Sequence, residues 1–194
     1  MHGTVGAMSA PPFRADLRVF VEQRWVGLAD LQGLEREYLD EVLRQPRVSC
    51  CSFVGGFFID VGGVAFSGED SVDEFWMTWS WFFALDKLLD GADEAQAAPW
   101  EESAMKLWRH GDVLALEDRS ASGTPVTPRV EVELHPFSRS LARQGLEFLA
   151  WGERLLALLD ARSPPVPASV RLEFERALRL PRDIVDRVAA KSGL

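Results

Sequence analysis

Few residues in this chain have the types and spacing for chemistry. The histidines stand at positions 2, 110 and 135 and the cysteines at 50 and 51. No HxH, HExxH or His-Cys spacing puts two metal ligands on one face. Adjacent cysteines on a strand point to opposite faces, so Cys50 and Cys51 do not chelate one ion as a pair. A cysteine nucleophile served by His110 or His135 is one reading. A buried strand thiol acting as a small hydrophobe is the plainer one. His135, just before Pro136, is expected to make a structural hydrogen bond at a strand-to-helix junction. Gly55-Gly56 and Gly62-Gly63 could cradle phosphate, but neither opens a helix or is followed by Lys-Ser or Lys-Thr, and no GxGxxG or GxSxG is present. Both pairs read instead as two-residue hairpin turns, which need positive φ. Carboxylate neighbours such as Glu101 with Glu102, or Asp112 with Asp118, carry no specific signal in an acidic protein. No catalytic residue, metal or cofactor is therefore expected. The rival reading is a small-ligand binder or hydrolytic enzyme with a pocket between sheet and helix and His110, Asp112 or His135 at its mouth.

Charge is the stronger signal. The 194 residues hold 30 acids and 21 Lys and Arg, a net of −9, which disfavours nucleic acid and anionic membranes as partners. The imbalance is local: residues 1–100 hold 16 acids against 7 Lys and Arg, while residues 101–194 hold 14 of each. The acids Glu35, Glu37, Asp40, Glu41, Glu69, Asp70 and Asp73 could line a docking surface for a basic protein. The plainer reading is a solvated face that keeps the protein soluble.

The elements that must position these groups follow from hydrophobic period. Residues 16–25 alternate as a half-buried strand, with Leu17, Val19 and Val21 on one side. Asp30 can cap a helix carrying Leu31, Leu34, Tyr38 and Val42, stopped by Pro46. Residues 48–66 read as strands punctuated by the two glycine pairs. Ser71 and Glu74 form a capping box for a helix ending at Leu89 with Gly91 as its left-handed cap. Its apolar residues wrap all round, as in a core helix. An exposed edge, Trp76 with Phe83 or Trp81 with Leu85 and Leu88, would instead be a partner anchor and the mark of a structural subunit. After a polar stretch, residues 92–99, strands at 104–110, 112–117 and 129–134 form an antiparallel meander. A long helix then runs from Pro136 to about Asp160, where Gly145 and Gly152 would let it approach the sheet closely.

These elements predict a single α+β domain: a mainly antiparallel sheet of about five to seven strands on two principal helices, with a short helical C-terminal tail. Residues 1–14 are expected to be a flexible leader, 15–162 the domain, and 163–194 a Pro-rich link and helical tail packing back on it. No signal peptide, membrane span or disulfide framework is visible, so a cytoplasmic protein is expected, monomeric or homodimeric.

The order of strand, helix, hairpin strands, an aromatic helix ending Leu88-Leu89-Asp90-Gly91, then meandering strands leading into the helix that ends near Leu159, resembles small bacterial immunity proteins of polymorphic-toxin and contact-dependent systems. The resemblance spans residues 16–160 and lies in the pattern of elements rather than in a motif. It implies a non-enzymatic protein that neutralises one cognate toxin by covering its active site, often with an acidic surface against a basic nuclease.

Overall fold

In a computed structural model that describes residues 12–68, 75–98, 104–120, 122–179 and 182–194, alternation and turn chemistry set the first sheet. Strand β1 (Phe13–Val21) turns at Glu22-Gln23 into β2 (Arg24–Gly27), and β3 (Gly55–Val61) turns at Gly62-Gly63 into β4 (Val64–Ser67). The sheet order is β2-β1-β3-β4, antiparallel throughout. The strand expected over 16–25 is thus a hairpin. Glu22 and Gln23 take φ of 49° and 61°, a turn that carries no glycine and so leaves no sequence mark. At Gly62-Gly63 φ is 60° and 87°, as that pair predicts.

Gly55-Gly56 makes no turn; it lies inside β3. Gly55 is there for space, since a Cβ on it would lie 2.3 Å from Phe75 Cζ and 2.6 Å from the Arg18 carbonyl oxygen. The β3–β4 register shifts between Ile59 and Asp60, and the Ser67 hydroxyl occupies the irregularity, accepting the Ile59 N–H and donating to the Phe57 carbonyl.

Helix α1 (Glu35–Leu43) begins five residues after Asp30, because Leu28–Asp30 is a 3-10 turn and Gly33 takes φ of 94°. The aromatic helix divides into α2 (Phe75–Thr78) and α3 (Ser80–Leu89), and the Thr78 hydroxyl donates to the Gly55 carbonyl, fixing α2 to β3. Its expected capping box, Ser71 and Glu74, lies outside the described residues. Gly91 takes φ of 101°, and the Ala92 N–H reaches back to the Lys87 carbonyl, the glycine-capped ending that the sequence predicts.

The meander gains a strand where a polar loop was expected. Strands β5 (Glu94–Ala97), β6 (Met105–His110), β7 (Val113–Glu117) and β8 (Val130–Glu133) form a second antiparallel sheet in sequence order. The α+β class holds; its strands are shared between two four-stranded sheets where one sheet of five to seven was expected. Helix α4 (Leu134–Asp160) starts two residues before Pro136 and packs on α1, β1 and β8. Its glycines approach helices rather than the sheet: Gly145 faces Phe82 of α3, and Gly152 faces Leu178 of α5 (Ala168–Arg179).

One continuous core joins these layers. Leu17, Val19, Phe57 and Ile59 enter it from the first sheet, Leu107, Leu114 and Leu116 from the second, and Phe148, Trp151 and Leu155 from α4. Phe174 and Leu178 of α5 and Val185 and Val188 of α6 (Arg182–Ser192) are buried in the same cluster. The C-terminal helices therefore complete the core. β1 includes Phe13 and Arg14, paired with Val61 and Asp60, so those two residues of the expected leader belong to the sheet; residues 1–11 lie outside the described residues.

Candidate functional site

The acids were the sequence's candidate site, and the fold separates them. Glu35 is buried, with its carboxylate accepting from Arg154 Nε at 2.9 Å and from the Gly33 N–H at 2.8 Å. Burial by itself would push that carboxyl up. The hydrogen bonds from Arg154 and the backbone, together with the Arg154 charge, outweigh it and hold the carboxyl below its ordinary range. Asp40 pairs with Arg162 at 2.6 Å. Glu41 accepts the Glu22 N–H at 2.8 Å, and Glu37 is exposed on the outer side of α1. Glu69, Asp70 and Asp73 lie outside the described residues.

The same pattern recurs on α3, where Asp86 pairs with Arg187 and Lys191, and Asp90 with Lys191. Acids of the first hundred residues thus bind cations of α4, of the segment just after it and of α6. Part of the charge asymmetry along the chain is complementarity within the molecule. Glu35 and Asp40 are committed to it, Glu41 is half-buried and holds the Glu22 N–H at the hairpin tip, and Glu37 is exposed without such a bond among those described.

The histidines and cysteines do not converge. His110 is exposed at the end of β6, with its Nε2 2.8 Å from Arg129 Nη2. His135 is half-buried in the first turn of α4. Cys50 and Cys51 fall in a 3-10 turn rather than a strand, and Cys51 is exposed rather than buried. Among the described residues no group of three His, Cys, Asp or Glu side chains could hold a metal ion, and no helix is long and apolar enough to cross a membrane. A cleft of about 600 Å³ opens between residues 43–48 and the proline-rich 162–167 segment, and another of about 570 Å³ lies beside β1, β2 and α4. Neither is lined by a histidine.

Of the aromatic edges considered for a partner, Trp81, Leu85 and Leu88 are fully buried. Phe83 is exposed, and the Trp76 side chain lies outside what the structure describes.

The exposed aromatic surface lies elsewhere, on the outer face of the first sheet. Alternation along β1 sends Leu17 and Val19 inward and Arg14, Asp16, Arg18 and Phe20 outward. In register beside them stand Trp25 opposite Phe20, Phe58 opposite Asp16, and Asp60 opposite Arg14. Phe20, Trp25 and Phe58 are each only half-buried. Trp25 meets Phe20 and Phe58 edge-on at centroid distances of 5.0 and 5.2 Å. Gly27 and Gly56 are the partners of Arg18 on both neighbouring strands, and the Asp16 carboxylate lies over Gly27, 3.4 Å from where a Cβ would stand. The Arg18 guanidinium lies 4.6 Å from the Phe58 ring centroid while its Nε donates to Asp16 at 2.8 Å. The rings come from three strands. In the sequence Phe20 falls on the polar side of its alternating segment, Trp25 at that segment's end and Phe58 among the bulky residues of 48–66, and the Trp25–Phe58 contact needs the β2-β1-β3 order, which no local pattern encodes.

Compared with known protein families, curated proteins and solved structures, the chain matches none of them.

Proposed function

We propose that this chain is a non-enzymatic cytoplasmic protein that binds another protein on the outer face of its first sheet. The observation that carries this reading is the Phe20–Trp25–Phe58 cluster with Arg18 stacked on it, half-open on the far side of a sheet whose other face is core. Large rings and arginine are the side chains that dominate binding energy at interface centres: the rings bury much area and lose little rotamer freedom, and the guanidinium adds several donors on a planar, stackable group. A second reading makes the occupant a basic toxin domain, as the resemblance to immunity proteins implies. Glu22, exposed at the tip of the β1–β2 hairpin, and Glu37, exposed on α1, favour it, since they leave negative charge at the surface.

The test is binding of purified chain to the proteins encoded by neighbouring genes, measured by titration calorimetry. Trp25→Ala is expected to weaken binding by about tenfold or more while the melting temperature stays close to that of the parent. For a basic partner, Glu37→Lys with Glu41→Lys and raised salt should weaken it further. Binding untouched by both Trp25→Ala and Phe58→Ala would refute the reading.

A further inference from the structure

The cleft of about 570 Å³ beside β1, β2 and α4 bears on which partner the outer face takes, a step that rests on the docking reading above. It opens where β2 ends at Gly27 while β1 runs on, so that the turn Leu28–Asp30 and helix α4 become its sides. Trp25 lines it from β2, and a volume of that order is usual for a ligand site.

Charge decides which chemistry it takes. Two cations, Arg14 and Arg18, line the cleft against three acids, Asp16, Asp30 and Glu147, a net of −1. Arg18 is already paired with Asp16, Nε to Oδ2 at 2.8 Å. Asp30 and Glu147 are exposed, and no hydrogen bond or ion pair holds either carboxylate among the described residues. Nor, among those residues, do three acids gather closely enough to hold a metal ion. Carboxylates spread in this way suit a larger cation carried on a stem.

A guanidinium is such a cation. Its planar fork bonds carboxylate oxygens while its face lies on an aromatic ring, which an ammonium does less well. Trp25, half-buried, offers the ring. The same face already holds one example built from its own residues, since Arg18 stacks on Phe58 and donates to Asp16. We infer that the cleft receives an arginine side chain of the partner, with its stem along Trp25 and its guanidinium drawn to Asp30 and Glu147.

Titration of the full chain with N-acetyl-arginine methylamide, followed through amide and indole N–H chemical shifts, tests this. Saturable shifts are expected at the Trp25 indole and at the Gly27 and Asp30 amides, with dissociation in the millimolar range for a single side chain. Asp30→Asn with Glu147→Gln should weaken binding by about fivefold or more. The citrulline analogue, which keeps the shape and loses the charge, should give no saturable shift. Both substitutions fall on exposed carboxylates, and an unchanged melting temperature confirms that the variant is folded. No saturable shift at Trp25 with the arginine probe, equal binding of the citrulline analogue, or binding indifferent to the double variant overturns the inference. If a heterologous protein is lost by Trp25→Ala but binds the Asp30→Asn, Glu147→Gln variant as well as the parent, the arginine inference fails and the docking reading stands. If Trp25→Ala, Phe58→Ala and the double variant all leave that protein bound, both fail.

Discussion

Gln144 stands where β1 outruns β2. Pairing with β2 reaches only to Arg18 and Gly27, so the backbone at Ala15 and Leu17 faces helix α4 instead of a strand. The Gln144 amide supplies the missing ladder from α4: its Oε1 accepts the Leu17 N–H at 2.5 Å and its Nε2 donates to the Ala15 carbonyl at 2.7 Å. Gln144→Leu keeps most of the volume and removes both bonds. Each bond is worth about 1 kcal/mol, and each backbone group left half-buried without a partner costs toward the lower end of about 1–3 kcal/mol, so a loss of about 2–3 kcal/mol is expected. For a chain of this size that lowers the melting temperature by about 5–10 °C. Gln144→Glu separates the two halves of the interaction. It keeps the acceptor for Leu17 but turns a second oxygen on the Ala15 carbonyl, which only a protonated carboxyl can satisfy. Its pKa is therefore raised in the folded state. The stabilising contact is present below the unfolded value of about 4.3 and is lost as pH rises through the higher folded value. Urea unfolding at neutral and mildly acidic pH should show the Gln144→Glu deficit shrinking as pH falls while the Gln144→Leu deficit does not. Hydrogen exchange at the Leu17 amide should quicken in Gln144→Leu. A Gln144→Leu protein within about 0.5 kcal/mol of the parent, with Leu17 still protected, would refute the reasoning.

The hairpin tip offers a gain in stability. Replacing Glu22 and Gln23, both at positive φ, by Asn and Gly should stabilise the chain by about 1–2 kcal/mol in urea unfolding, because those residues suit the turn; the Glu22 N–H bond to Glu41 is a backbone contact and survives. The bracket between α1 and α4 is expected to show in the acid limb of stability. Glu35→Ala should cost about 1–2 kcal/mol by stranding the Gly33 N–H and the Arg154 guanidinium, a value held down because the Arg154 side chain is 53% exposed. Since its folded pKa is lowered, Glu35 contributes stability above its unfolded value of about 4.3 and loses it as pH falls through the folded one. Glu35→Gln should therefore flatten the urea midpoint between about pH 5 and pH 3.

Sequence legibility followed the range of the interaction. The alternation of Val130 and Val132 with Glu131 and Glu133, the turn at Gly62-Gly63, the apolar stripe of α4 and the cap at Gly91 were readable, because period and backbone conformation depend on neighbours in the chain. Three features were not. Glu22-Gln23 adopts a glycine-type turn without glycine. Gly55 is small because Phe75, twenty positions on, needs its space. β5 is polar and small-residued, and becomes a strand by pairing with β6. The outer-face candidate was hidden for the same reason: Phe20, Trp25 and Phe58 meet only once β2, β1 and β3 lie side by side.

The sequence by itself determined which residues turn inward within most elements, the α+β class, and the concentration of acid in the first hundred residues. Only the tertiary structure decided what that acid meets. Glu35 and Arg154 stand 119 residues apart, and Asp40 and Arg162 stand 122 apart. Helix packing brings each pair within hydrogen-bond reach, and a charge held there is no longer free to define a surface.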